Sequence, residues 1–162
     1  MRYVMRQKLL SLSDSFTIKD EAGRDAFRVK GKIFSFGDKL SFQDMAGNEL
    51  VFIEQKIFNW GPTYELWRGE EMIAEVKRHL FSFLHHRFTV DVPGPNDLEA
   101  VGDFFDHEYV LERGDVPVAT VSKRWFSFAD TYGIDIDDKE DQVLILATAV
   151  VVDMVCHKDE ND

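Results

Sequence analysis

Over most of its length the chain alternates apolar and polar residues in short runs, the period-two signature of strands with one face in a core. Phe16-Thr17-Ile18-Lys19 turns at Asp20-Glu21-Ala22-Gly23 and returns through Phe27-Arg28-Val29-Lys30. Leu40-Ser41-Phe42-Gln43 turns at Asp44-Met45-Ala46-Gly47 and returns through Leu50-Val51-Phe52-Ile53. Both turns read D-x-A-G, with an Asp able to bond the local backbone and a Gly free to take positive φ. Tyr64 to Trp67 turns at Arg68-Gly69 into Met72 to Val76, and Tyr109 to Glu112 turns at Arg113-Gly114 into Val116 to Val121. The pattern predicts about a dozen strands between residues 2 and 136. That many strands must protect their edges, and closing the sheet does so.

The last two hairpins read as copies at an offset of 45 residues: Tyr64 matches Tyr109, Arg68-Gly69 matches Arg113-Gly114, Ala74 matches Ala119, and Val76 matches Val121. Phe81-Ser82-Phe83 matches Phe126-Ser127-Phe128, and a third such triplet stands at Phe34-Ser35-Phe36. Such repetition points to one supersecondary unit used more than once; shared hairpin turn chemistry is the plainer alternative.

The C-terminal segment breaks the alternation. Val143 to Val152 is apolar on every helical face, which only a helix buried on all sides can sustain. Asp137 and Glu140 resemble a capping box ahead of a helix over Gln142 to His157. Val and Ile favour strands, but the run exceeds an ordinary strand. The expectation is therefore a mainly β domain over residues 1–162, a closed barrel of about twelve antiparallel strands around a buried hydrophobic C-terminal α-helix.

With 162 residues the chain fits one domain, and no Gly-, Pro- or Ser-rich linker divides it. Val92 to Asp97 reads as a rigid loop between the copies. The net charge of −11 argues against nucleic acid as a partner. One cysteine, Cys156, makes an intrachain disulfide impossible and suits a reducing compartment. The first residues lack an apolar signal core, and the longest apolar run is too short to span a bilayer and is interrupted by Asp153. A soluble cytoplasmic protein without a transmembrane segment is expected.

Several stretches together resemble one family: Asp91-Val92-Pro93-Gly94-Pro95, Asp103-Phe104-Phe105-Asp106-His107-Glu108-Tyr109, Val121-Ser122-Lys123-Arg124-Trp125-Phe126-Ser127-Phe128, Asp130-Thr131-Tyr132-Gly133-Ile134-Asp135-Ile136, and the apolar segment with Asp153. The chain resembles the LURP-one-related (LOR) family of the Tubby C-terminal-like group, which also holds the phospholipid scramblases. The resemblance runs from Arg6 to Cys156 and implies a twelve-stranded barrel around a hydrophobic helix. It implies little about activity: Tubby domains bind phosphoinositides, scramblases act on phospholipids, and plant members are linked to defence.

No motif for nucleophilic, zinc-dependent or nucleotide chemistry is present, so no enzyme activity and no cofactor are expected. Cys156 reads as an inert buried thiol. His79, His85 and His86 are close in sequence, but adjacent strand residues face opposite ways, and zinc needs about four converging ligands. Asp135, Asp137, Asp138, Glu140 and Asp141 sit where scramblases carry an acidic segment, yet they lack the Gly and closing Glu of a calcium loop; helix capping accounts for them with no extra assumption. No metal site is expected. Lys77-Arg78 and Lys123-Arg124 precede the repeated Phe-Ser-Phe triplets, and side by side they would form a basic patch for an anionic headgroup. Pairing with Glu75 or Glu112 across the hairpins is the simpler reading of the same residues. Asp153 is either a buried, bonded carboxylate or part of an exposed last turn. The reading that follows is a non-enzymatic binding or interaction module, with anionic phospholipid or a membrane-associated protein as partner. A stress-response scaffold and an enzyme with an unrecognised surface site are the alternatives.

Overall fold

The computed structural model describes the backbone of residues 1–6, 15–34, 37–57, 61–82, 85–126 and 130–161. Twelve strands follow one another: β1 (Arg2–Arg6), β2 (Ser15–Asp20), β3 (Asp25–Phe34), β4 (Gly37–Asp44), β5 (Glu49–Lys56), β6 (Thr63–Arg68), β7 (Glu71–Ser82), β8 (His85–Asp91), β9 (Leu98–Asp103), β10 (Glu108–Arg113), β11 (Val116–Ser122) and β12 (Thr131–Ile136). Each pairs antiparallel with its sequence neighbours, and β1 pairs with β12, which closes the barrel. A single helix among the described residues, α1 (Gln142–Asn161), follows.

The hairpin turns form for the reasons their sequences give. One carboxylate oxygen of Asp20 accepts hydrogen bonds from the amides of Ala22 and Arg24, both at 2.9 Å. Asp44 does the same for Ala46 and Asn48, at 3.0 and 2.9 Å. Gly23 and Gly47 take φ of 80° and 91°, where a side chain would be strained. The 45-residue repeat is visible in the register. The ladder of β6 and β7 shifts after Leu66, and that of β10 and β11 shifts after the matching Leu111. Of the Phe-Ser-Phe triplets, Ser35, Phe36, Phe83, Ser127 and Phe128 lie outside the described residues.

The strands turn one face inward, with Ile18, Val29, Phe42, Ile53, Leu66, Val76 and Ile134 buried. The helix fills the space they enclose. Ile145 through Val152 are all at most 1% exposed, around the whole circumference of α1. The one polar side chain in that stretch, Thr148, donates its hydroxyl to the Leu144 carbonyl at 2.9 Å and leaves nothing unsatisfied.

The start of the helix differs from the expected capping box. The cap is Asp141, whose carboxylate accepts the Leu144 amide at 3.1 Å. Asp137 is still bound to the sheet, donating its amide to the Val118 carbonyl, and its carboxylate closes a turn onto the Lys139 amide at 2.9 Å. The chain leaves β12 and needs this turn to swing into the barrel before a helix can begin. At the far end α1 runs on to Asn161, beyond the expected His157.

Candidate binding surface

Successive hairpins reverse at alternate ends of the barrel, and the two ends hold α1 differently. At its amino end the repeated arginines grip adjacent carboxylates. Arg68 meets Asp141 at 3.0 Å, and Arg113 makes a two-pronged pair with Glu140 at 2.6 and 2.9 Å. Asp135, in the same acidic segment, lies 3.4 Å from Arg2. At the carboxy end the β9–β10 turn folds over the barrel mouth. Phe104 of that turn packs between Phe88 and Tyr109, with ring centroids 4.8 and 5.0 Å away. This anchoring delivers His107, at a positive φ of 52°, to Asp153 on α1. Their Nε2–Oδ1 separation is 2.7 Å, with side chains 4% and 14% exposed. The imidazole stacks on Tyr132 at a centroid distance of 4.3 Å. Burial, and then the negative charge of Asp153, pushes the Tyr109 and Tyr132 phenols well above their ordinary range. Asp153 is therefore the bonded carboxylate of the two readings, in a largely buried setting.

The other histidines are not drawn to this pair. His79 bonds Thr89 at 2.8 Å through Nε2, and the side chains of His85 and His86 lie outside the described residues. Among the described residues no three His, Cys, Asp or Glu side chains are grouped to hold a metal ion. Cys156 is buried.

The four basic residues singled out in the sequence do not converge. Lys77 and Arg78 lie on β7, and Lys123 and Arg124 follow β11, so β8, β9 and β10 stand between the pairs. That is about 19 Å along the sheet at roughly 4.8 Å per strand. Lys77 faces out and is held by Glu75, two residues back on the same strand, at 2.8 Å, so the pairing runs along β7 and not across the hairpin. Burial raises the Glu75 carboxyl, but hydrogen bonds from Lys77 and Lys56 outweigh it and hold the group below its ordinary range. Arg78, next along the strand, is half-buried, and its charge reaches the Tyr64 phenol, which donates to the buried Asp38 at 2.8 Å. Lys123 supplies its backbone amide to Glu108 at 3.0 Å, and Arg124 is exposed with its Nε 3.8 Å from the same carboxylate.

A different basic face does form. Residues 1–44 carry nine Lys and Arg against six Asp and Glu, a surplus of +3; the remaining residues carry 10 against 24, a deficit of −14. Register places Arg28 beside Thr17 and Gln43, and Lys30 beside Ser15 and Ser41, on the outer face of β2, β3 and β4. Lys19 pairs with Asp25 at 2.6 Å and Lys39 with Glu54 at 3.7 Å. Arg6, Arg28 and Lys30 have no acidic partner within 4 Å among the described residues. The signal that finds this face in the sequence is a running charge sum, with Arg28, Lys30 and Lys32 at alternate positions of the β3 sequence.

Beside this face the barrel has its shortest ladder. Among the described residues β1 and β2 are in register only at Tyr3↔Asp20 and Val4↔Lys19. A cavity of about 490 Å³ lies over the unpaired part of the seam, lined by Val4, Arg6, Thr17, Lys19, Phe126, Thr131 and Asp25, whose carboxylate is taken up by Lys19. Its aromatic wall is held by a close approach. A Cβ on Gly133 of β12 would lie 2.6 Å from the Trp125 ring and 2.8 Å from Phe126, so glycine lets both rings lie against the strand. The Arg2 guanidinium stacks 4.3 Å above Trp125.

Twelve antiparallel strands closed on themselves around a largely apolar helix define a plugged barrel, a class distinct from barrels that carry ligands inside. The chain belongs to the LURP-one-related (LOR) family, whose model matches residues 1–153. It is 37% identical over 158 residues to the uncharacterized protein YxjI of Bacillus subtilis (strain 168), covering 98% of this chain and 95% of that one. The X-ray structure of an Arabidopsis thaliana protein superposes with a TM-score of 0.66 over 99% of this chain and 92% of its own, at 18% identity, a likeness of fold.

Proposed function

We propose that this LURP-one-related chain is a non-enzymatic binding module that takes anionic phospholipid headgroups on the outer face of β1 to β4. The observation that carries the reading is the segregation of charge. A chain of net −11 keeps a surplus of +3 in its first 44 residues, with Arg6, Arg28 and Lys30 lacking an acidic partner among the described residues there. Lysines and arginines at an anionic membrane surface contribute roughly 1 kcal/mol each, so a small cluster is enough for reversible attachment. The plugged interior supports an outside ligand, because residues of α1 occupy the space an internal ligand would need. No described helix is long and apolar enough to cross a membrane, which fits attachment from one side. A cytoplasmic site of action is part of the reading, in keeping with a single buried cysteine.

Co-sedimentation with vesicles tests it. Binding is expected to phosphatidylglycerol mixed into phosphatidylcholine, but not to phosphatidylcholine alone, and it should fade as salt shortens the range of the charges. Reversing Arg28→Glu and Lys30→Glu together should weaken binding about tenfold or more. No sedimentation with anionic vesicles at low salt overturns the proposal.

A further inference from the structure

The cavity over the β1–β2 seam combines features that the rest of the basic face lacks. Its volume, about 490 Å³, lies in the range of sites that enclose small ligands. Arg6, on its rim, is an exposed guanidinium without an acidic partner among the described residues. Opposite it on β2 stands the Thr17 hydroxyl, which pairs with no other described group; the Thr131 hydroxyl of β12, also in the lining, donates to Asp130 at 3.3 Å. Val4 and the Phe126 ring supply apolar walls. Where β1 and β2 part after Val4↔Lys19, strand backbone also faces the opening instead of a neighbouring ladder. A guanidinium donates two parallel hydrogen bonds to a phosphate, and hydroxyls complete the anion's shell. The adjoining apolar walls suit a carbon-bearing substituent.

We infer that the β1–β2 seam is a binding site for a phosphate ester, with the phosphate between Arg6 and Thr17 and its organic substituent against Val4 and Phe126. The site deepens the anionic-ligand reading of the same face and rests on it. The ester has two sources with shared chemistry, a phospholipid headgroup entering the seam from a membrane or a free phosphorylated metabolite.

Amide chemical shifts of the isotope-labelled full chain, titrated with glycerol 3-phosphate, read the site directly, and vesicle co-sedimentation reads the source. Shifts should concentrate at Val4 to Arg6, Thr17 to Lys19 and Thr131. Arg6→Gln should weaken glycerol 3-phosphate at least tenfold and Thr17→Val several-fold, whereas Lys77→Gln, on β7 and away from this face, should leave it within twofold. If Arg6→Gln also weakens phosphatidylglycerol vesicles at least fivefold, the headgroup is the source. If vesicles are indifferent to Arg6 or do not bind at all while glycerol 3-phosphate depends on it, the seam site stands with a free ester as ligand. Shifts scattered over all lysines and arginines, or glycerol 3-phosphate binding unchanged in Arg6→Gln, overturn the seam site. Vesicle binding that survives Arg6→Gln but is lost in the Arg28/Lys30 variant then leaves the surface reading standing alone.

Discussion

The two ends of α1 are fastened by opposite means. At the amino end, arginines from two copies of one hairpin reach out to Asp141 and Glu140 in partly solvated pairs. At the carboxy end, a single pair, His107 and Asp153, is closed in by Tyr132 and Tyr109. Exposed pairs are individually weak, because water screens the attraction and two long side chains must be ordered. A buried pair adds little when complete but leaves a stranded polar group when broken. The amino end therefore tolerates loss gradually through repetition, and the carboxy end depends on two residues.

The span between the ends should be the most sensitive of all. Ala149→Glu places a charge and extra volume where exposure is 0%. The cost of burying it exceeds the whole stability of an ordinary domain, about 5–15 kcal/mol, so no cooperative unfolding transition should be measurable by circular dichroism. Raising the pH should come next. All four tyrosines, Tyr3, Tyr64, Tyr109 and Tyr132, have phenols held above the ordinary value of 10, burial being the main cause in each. A pKa raised by folding gives stability that is complete below the unfolded value and is lost as pH climbs through it. Tyrosinate absorbance should thus rise together with loss of the barrel above about pH 10; a smooth titration near pH 10 with the fold intact would contradict the packing at the carboxy end. Asp153→Ala should cost roughly 1–3 kcal/mol, lowering the melting temperature by several degrees; an unchanged melting temperature would mean the pair contributes nothing. At the other end, Arg113→Ala should cost about 1 kcal/mol and Arg68→Ala about half that, with the double variant close to additive in denaturant titrations. A loss larger than that of Asp153→Ala would invert the comparison.

Much of the fold could be read from local chemistry. The D-x-A-G turns, the 45-residue repeat and the all-apolar run each specify their structure through neighbours in sequence, and each appears where its pattern places it. The cap moved from Asp137 to Asp141 because the sheet holds Asp137 through Val118, a partner 19 positions away that no local pattern contains. His107 and Asp153 are 46 residues apart and meet only because the chain closes into a barrel. Lys77 and Arg78 are the instructive case. Strand alternation sends Lys77 outward and Arg78 toward Tyr64, so that rule alone divides the pair. The basic face of β1 to β4 was legible as a charge sum but not as a surface, since register brings Arg28 and Lys30 beside Thr17 and Ser15.

All of this depends on α1 being the interior of the barrel in solution, which native-state hydrogen exchange measures most directly. Amides from Ile145 to Val155 should exchange only through global unfolding, with the same denaturant dependence as the central residues of β5, β7 and β12. Helix amides that exchange through a separate, easier opening while those strands stay protected would show that the helix leaves the barrel, and would reopen its interior as a place for a ligand.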